Sequence, residues 1–307
     1  MTRVLITGAA GYIGRLLATR LHGQVDVVGV DVRTPSVPYD LRRLDVRDPA
    51  LGTVMSDEEI THVVHLAAVL GSSGDREHDF DIDVNGTANV VTGCLDAGVE
   101  HLTVTSSGAA YGYHADNPVP LSEDDPLRGN PEFGYSDHKR QVEELLARTR
   151  DSHPQLGQLV LRVGTVLGTG TDNLITALFR RRFLLSVSGS DTPFVFIWDH
   201  DLVSILEAGV AHSRTGVFNV AGDGSVTMGR IGELQGKRVL TVPAGLLRTV
   251  LRAARLVGSG RYGPEQIDFL RYRPVLDNTR LKTEFGFIPS RTSEEAFVYF
   301  VDALSRR

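Results

Sequence analysis

The chain is short of the residues that signal metal or disulfide chemistry. Its 307 residues include one cysteine, Cys94, which excludes both a disulfide framework and a thiolate metal cluster. Lysine is almost as scarce. Of 32 basic residues only Lys139, Lys237 and Lys282 are lysines, so a lysine in a patterned position carries weight. There is no excess of positive charge. The formal net charge is −6, which argues against the basic face a nucleic-acid binder needs. No apolar run is long enough to span a bilayer, and a chain without a leader is expected. The expectation is a cytoplasmic protein with neither nucleic acid nor membrane as partner. Internal repeats and low-complexity tracts are missing too. One acidic stretch invites a metal reading, because Asp79, Asp81 and Asp83 have the spacing that opens a calcium loop. Val84 then stands where that loop needs Gly, and Val90 where it needs Glu, so no metal is expected.

What is present begins at once. Arg3-Val4-Leu5-Ile6-Thr7 is an apolar, β-branched run that reads as a buried strand. Gly8, Gly11 and Gly14 follow in G-x-x-G-x-x-G spacing, with Tyr12 and Ile13 between the last two, and Arg15–Leu21 has helical periodicity. Strand, glycine turn and helix open a dinucleotide-binding unit: the turn needs Gly, the pyrophosphate needs bare backbone, and helix must pack closely on strand. A ligand-free βα turn would show the same three glycines. The next strand, Val27–Val30, ends at Asp31, where a carboxylate accepts from both adenosine ribose hydroxyls and repels a 2′-phosphate. That favours NAD over NADP, although Arg33 two residues on could hold such a phosphate.

Arg43–Asp48 reads as a short strand, with Asp45 and Val46 at the adenine; Asp45 fits equally a surface cap near Pro49. His62–Ala68 reads as a buried strand whose end, Leu66, Ala67 and Ala68, leaves room for a cofactor to pass. Asp83–Val91 begins a helix, and Leu102–Ser107 is a strand ending in hydroxyls. Strands alternating with helices predict an α/β fold with a Rossmann-type, doubly wound parallel sheet. Leu159–Gly164 and Val217–Gly222 supply later strands, and Leu174–Phe183 a helix. A further helix, Leu246–Val257, carries Arg248, Arg252 and Arg255 on one side, which suits a solvated face better than a membrane-facing stripe.

Tyr135 and Lys139 are four apart, so on a helix they share a face. A phenol titrates near pH 10, and a neighbouring ammonium brings it toward the working range. A strand-end serine can bond the same substrate oxygen. The pair alone recurs by chance in many helices. Here it follows a nucleotide fingerprint and a hydroxyl-ended strand, and it uses one of three lysines.

With these motifs assembled, the chain resembles the extended short-chain dehydrogenase/reductases, the NAD-dependent epimerase/dehydratase group, from Thr2 to about Ala221 and more loosely beyond. The resemblance implies a Rossmann domain over 1–165, completed by about 194–222, and a smaller C-terminal substrate-binding lobe from 166–193 and 223–307. It implies Tyr135 as acid–base, Lys139 on the nicotinamide ribose, and Ser107 (or Ser106, one register away) on the reacting oxygen. The group usually has Asn where Asp83 stands, and acids where Gly108 and Ala109 stand in members that eliminate water. Epimerase or simple reductase chemistry is therefore expected, on a small molecule and first of all a nucleotide sugar. Members acting on nucleotide sugars usually carry an Arg at about Phe194, for which Arg162, Arg271 or Arg273 would have to substitute. Two alternatives stay open: a ketoreductase for a less charged molecule, and a catalytically silent NAD(H) sensor. Relatives of this kind pair through the helix after Asp83 and the catalytic helix, which implies a homodimer with Val142, Leu145 and Leu146 as candidate apolar surface.

Overall fold

The opening strand is apolar on both sides because it runs through the middle of a sheet covered on both faces. In the computed structural model, which describes residues 2–71, 73–189, 192–256 and 267–305 (side chains of 174 and 253–256 apart), it is β1, Arg3–Thr7. The chain continues through α1 (Tyr12–Leu21), β2 (Asp26–Asp31), β3 (Asp40–Arg43), α2 (Ala50–Asp57) and β4 (His62–His65). Then come α3 (Arg76–Phe80), a π turn (Asp81–Asn85), α4 (Gly86–Asp96), β5 (His101–Ser107) and α5 (Gly134–Ser152). β6 (Gly157–Val163), β7 (Thr165–Leu167), α6 (Leu174–Phe179), β8 (Leu184–Val187), β9 (Phe196–Trp198) and α7 (Asp199–His212) follow. The last elements are β10 (Gly216–Val220), α8 (Met228–Gln235), β11 (Val239–Val242), α9 (Ala244–Leu256), α10 (Ile267–Arg271) and α11 (Ser293–Ser305).

The main sheet has seven parallel strands in the order β10-β6-β5-β4-β1-β2-β3. Strand order reverses between β1 and β4, and that is where a doubly wound sheet opens a crevice for ligands. Leu17 and Leu21 of α1 and Leu202, Ile205 and Leu206 of α7 cover one face. Leu51 and Met55 of α2, Val90 and Cys94 of α4, and Val142 and Leu146 of α5 cover the other. Cys94 is fully buried, and burial pushes its thiol well above the ordinary range, so it is inert packing. Val142 and Leu146 are spent in this core, and of the three residues put forward for a dimer face only Leu145 keeps partial exposure.

Several boundaries differ from the sequence reading. The strand expected over 43–48 lies earlier, at Asp40–Arg43, because side chains capture the following backbone: Asp45 accepts from the Arg47 N–H and Asp48 from the Ala50 N–H. β4 stops at His65 rather than Ala68: the Leu66 N–H is shared between the Thr7 carbonyl and hydroxyl, 3.2 Å from each, and the Ala67 N–H goes to the hydroxyl alone, also at 3.2 Å. The helix from Leu174 ends at Phe179, and Leu184–Val187 is a strand instead. Phe196–Trp198 pairs with Thr165–Leu167 in a two-stranded sheet of its own, and β8 pairs with β11 in another. Phe179, Phe194, Phe196 and Phe297 pack ring on ring beneath them. Arg248 is half-buried and Arg252 exposed, while Arg255 falls outside the described side chains. Among the described residues no helix is long and apolar enough to cross a membrane.

Candidate active site

A cavity of about 1150 Å³ opens at the C-terminal ends of β1, β2, β4 and β5. Every residue singled out from the sequence for cofactor or chemistry lines it. Gly8, Gly11, Tyr12, Ile13 and Gly14 form its floor. Gly8 has φ +70°, and a Cβ there would stand 2.8 Å from the Ala67 nitrogen. At Gly14 a Cβ would stand 2.2 Å from the Gly8 carbonyl, so this glycine lets α1 seat against the turn. α1 begins at Gly11 with no side-chain cap, which leaves first-turn N–H groups for an anion.

At the far end Asp31 is buried. Its Oδ2 accepts from the Ala10 N–H at 3.0 Å and its Oδ1 from the Arg33 N–H at 2.9 Å. The Arg33 guanidinium reaches back to Oδ1 at 3.4 Å, although its side chain is 67% exposed. Asp45 and Val46 also border the cavity. The Arg47 guanidinium clamps both Asp45 oxygens and holds its carboxyl below the usual carboxylate range, then reaches Asp81 at 2.9 Å. The Arg47 grip engages both Asp45 oxygens where it borders the cavity, and Asp48 is the residue that accepts from the Ala50 N–H.

The catalytic candidates converge from two elements. β5 ends in Ser106 and Ser107, whose side chains diverge. Ser106 is buried and donates to Glu143 at 2.5 Å, while Ser107 is half-buried and accepts from the Ala109 N–H at 3.1 Å. Tyr135 stands in the first turn of α5. One turn on, Lys139 Nζ donates to the Thr105 carbonyl at 3.0 Å and lies 6.0 Å from the centre of the Tyr135 ring. Leu66, Ala67 and Ala68 form the opposite wall. Behind them His65 is enclosed. Burial, with the Lys139 charge adding to it, pushes its pKa down to about 3.

Beyond Tyr135 the walls come from the C-terminal half. The Tyr12 hydroxyl donates to Asp199 and accepts from the Gly170 N–H at 3.1 Å. Burial and that carboxylate push its pKa up to about 12, so the side chain pins the 168–171 loop and is no proton donor at neutral pH. The three candidate cations separate clearly. Arg162 is buried against Glu143 and Tyr111, away from the cavity. Arg271 lies over Tyr272. Arg273 borders the cavity, with its guanidinium over the Phe194 ring. Around it stand apolar side chains the sequence reading did not name: Tyr113, Phe133, Phe269, Leu247 and Leu251. Tyr113 and Phe269 meet edge to face at 5.2 Å although 156 positions separate them, so no local pattern marks the pair.

Comparisons with known proteins follow this geometry. The model of the NAD dependent epimerase/dehydratase family matches residues 4–204. An uncharacterized protein of Mycobacterium tuberculosis is 26% identical over 311 residues, covering 96% of this chain and 82% of the relative. The solved structure of MoeE5 in complex with UDP-glucuronic acid and NAD aligns with TM-score 0.76 and 27% identity, over 99% of both chains. That of the Thermus thermophilus UDP-glucose 4-epimerase complex with NAD aligns with TM-score 0.76 and 23% identity over 99% of both.

Proposed function

The chain belongs to the NAD-dependent epimerase/dehydratase family, and from that membership we propose an NAD-linked enzyme that interconverts a secondary alcohol and a ketone on a nucleotide sugar, as a 4-epimerase does. The observation that carries the chemistry is the placement of Lys139 between the Thr105 carbonyl and the Tyr135 ring, in the cavity that also holds the glycine turn and Asp31. The residues fit NAD: bare N–H groups at the start of α1 suit the pyrophosphate, and a buried carboxylate ending β2 suits the ribose.

When bound, NAD supplies the two-electron acceptor and donor. The remaining work belongs to side chains. Tyr135 takes the hydroxyl proton as the alcohol becomes a ketone and returns it on reduction. Lys139 stabilises the phenolate and holds the adjacent ribose, and Ser107 bonds the reacting oxygen. Arg273 takes the pyrophosphate contact that Phe194 cannot make. In this reading 166–193 and 223–307 form the substrate side, and the protein works in the cytoplasm as a homodimer.

The decisive experiment is calorimetry of NAD-saturated protein with UDP, dTDP and GDP, in which one of the three gives heat and NADH is not consumed during turnover. The apolar wall of Phe269, Leu247 and Leu251 favours a second reading, a ketoreductase for a less charged molecule. No heat from any nucleotide, with stoichiometric loss of NADH on a ketone, selects it. Protein that binds NADH, turns over nothing and is indifferent to loss of Tyr135 is the silent sensor.

A further inference from the structure

One buried phenol in the cavity wall has no part in the mechanism above. Among the described residues three tyrosines are buried: Tyr39, Tyr111 and Tyr113. The Tyr39 hydroxyl donates to the Ala9 carbonyl at 2.8 Å. That of Tyr111 is held by the Ser122 carbonyl at 2.8 Å, Asn219 at 2.9 Å and the Arg162 guanidinium at 2.8 Å. Tyr113 is 7% exposed and borders the cavity, yet its hydroxyl has no hydrogen-bond partner among the described residues. Nor is that hydroxyl sealed off within the fold. Buried phenols normally find a partner, so one left open on a cavity suits a ligand that brings the partner with it.

The side chain is fixed from its backbone outward. Gly112, with φ +84°, turns the chain out of the short 108–111 helix and into Tyr113. The Tyr113 N–H donates to the Asn130 side-chain oxygen at 2.7 Å. That same oxygen lies 3.3 Å from the hydroxyl of Ser136, the residue after Tyr135. The ring meets Phe269 edge to face and Phe133 at 5.6 Å, in an apolar cluster against which the Tyr135 ring also packs. A donor with backbone and ring already held loses little freedom when a ligand arrives.

The two phenols at this end of the cavity are not equivalent. Tyr135 has the Lys139 ammonium 6.0 Å from its ring centre. Burial pushes the Tyr113 pKa well up, Tyr135 adds to the rise, and Arg273 opposes it. Tyr113 therefore stays protonated at any working pH and cannot take a proton from an alcohol. What it can do is donate one hydrogen bond to an oxygen. Both Tyr135 and Arg273 are within electrostatic reach of it, but it shares its apolar cluster with Tyr135, whereas Arg273 lies over Phe194. The oxygen it meets thus belongs with the reacting carbon and not with the anion.

We propose that the Tyr113 hydroxyl is a specificity-determining donor, bonding a sugar oxygen other than the one Tyr135 acts on and leaving the diphosphate to Arg273. The inference rests on the nucleotide-sugar reading and deepens it, because the substrate must then carry a second oxygen close to the reacting carbon. NAD-saturated parent and Tyr113→Phe are titrated calorimetrically with UDP, dTDP and GDP, and with UDP-glucose, dTDP-glucose and GDP-glucose. Tyr113→Phe should hold the affinity for the free diphosphate within about twofold and weaken the matching diphosphate-glucose by about threefold to tenfold, the span of a neutral hydrogen bond. Because the hydroxyl has no partner in the fold, thermal unfolding of Tyr113→Phe without nucleotide should match the parent. Tyr111→Phe, which loses three partners, should be less stable. Diphosphate-glucose affinity that is the same in parent and Tyr113→Phe overturns the contact, and so does equal weakening of both ligands. A Tyr113→Phe protein that fails to fold, or melts with Tyr111→Phe, makes the hydroxyl structural and overturns it too. Failure of the underlying reading looks different: none of the six ligands gives heat with the parent, and the contact falls with it.

Discussion

The guanidinium carbon of Arg273 lies 3.9 Å from the centre of the Phe194 ring, so the cation comes from a distant segment to a place where Phe194 itself offers only an aromatic face. Arg273 is buried to 8% exposure, and its nitrogens donate to the Leu270 and Thr192 carbonyls. A guanidinium held over a ring and bonded to two carbonyls is fixed in place at the cavity edge, where an anion can meet it. Arg273→Met should therefore weaken binding of the nucleotide that gives heat by about tenfold to a hundredfold, the roughly 1.5–3 kcal/mol typical of a hydrogen bond to a charged group. Calorimetry on the NAD-saturated variant reads this directly. Unchanged affinity would return the pyrophosphate to another cation.

Cofactor choice depends on which of two neighbours dominates the ribose end. Asp31 is buried and bonded to the glycine turn, while Arg33 is mostly exposed and already leans on Asp31. The carboxylate should prevail. NADH should bind at least about tenfold tighter than NADPH, a gap of about 1.4 kcal/mol. Asp31→Asn should narrow that gap by removing the repulsion of a 2′-phosphate. Nicotinamide fluorescence titrations measure both, and the reverse order in the parent would make Arg33 the deciding residue.

What could be read from the sequence was what neighbouring residues decide among themselves. β1, the glycine turn and Asp31 fall within 31 positions, and their placement follows from alternation, φ angles and one strand length. The Tyr135–Lys139 spacing likewise needs only the helical period. Contacts set by topology were not legible. Tyr12 meets Asp199 across 187 positions, and Asp83 meets His138 across 55. Even the end of β4 depends on a Thr7 hydroxyl one strand away. The bidentate grip of Arg47 on Asp45, and its reach on to Asp81 34 positions away, were not legible either.

His65 makes stability depend on pH. Its pKa is pushed down to about 3 in the folded protein, against about 6.5 in the unfolded chain. The unfolded state therefore binds the extra proton first. The stabilisation from neutral His65 is complete above pH 6.5 and is lost as pH falls toward 3. Between pH 7 and pH 5 this one group should remove roughly 2 kcal/mol of unfolding free energy. Burial lowers His62 and His101 as well, which adds to the same slope. Urea unfolding at the two pH values tests the sum, and His65→Asn should flatten the dependence. A parent equally stable at both would mean that His65 is charged in the fold.

The chemistry itself turns on separating the proton from the cofactor. In the proposed mechanism Tyr135→Phe removes the transferable proton and little else, because the ring keeps its place among Tyr113, Phe133 and Phe269. NADH affinity should stay within about twofold while turnover falls by about two to four orders of magnitude, the span usual for lost acid–base catalysis. Lys139 is different. Its ammonium donates to the Thr105 carbonyl and lies 6.0 Å from the centre of the Tyr135 ring, and in the proposed mechanism it serves both the phenol and the ribose. Lys139→Ala should lower turnover and weaken NADH together, and Lys139→Arg should not restore it, since a planar fork cannot replace a point charge in that space. Ser107→Ala should reduce turnover less than Tyr135→Phe, with cofactor affinity intact; Ser106→Ala should act mainly on stability, through its bond to Glu143. Fluorescence titration and single-turnover rates separate the two effects. A Tyr135→Phe protein that keeps most of its turnover would remove the phenol from the mechanism and leave the cavity a binding site.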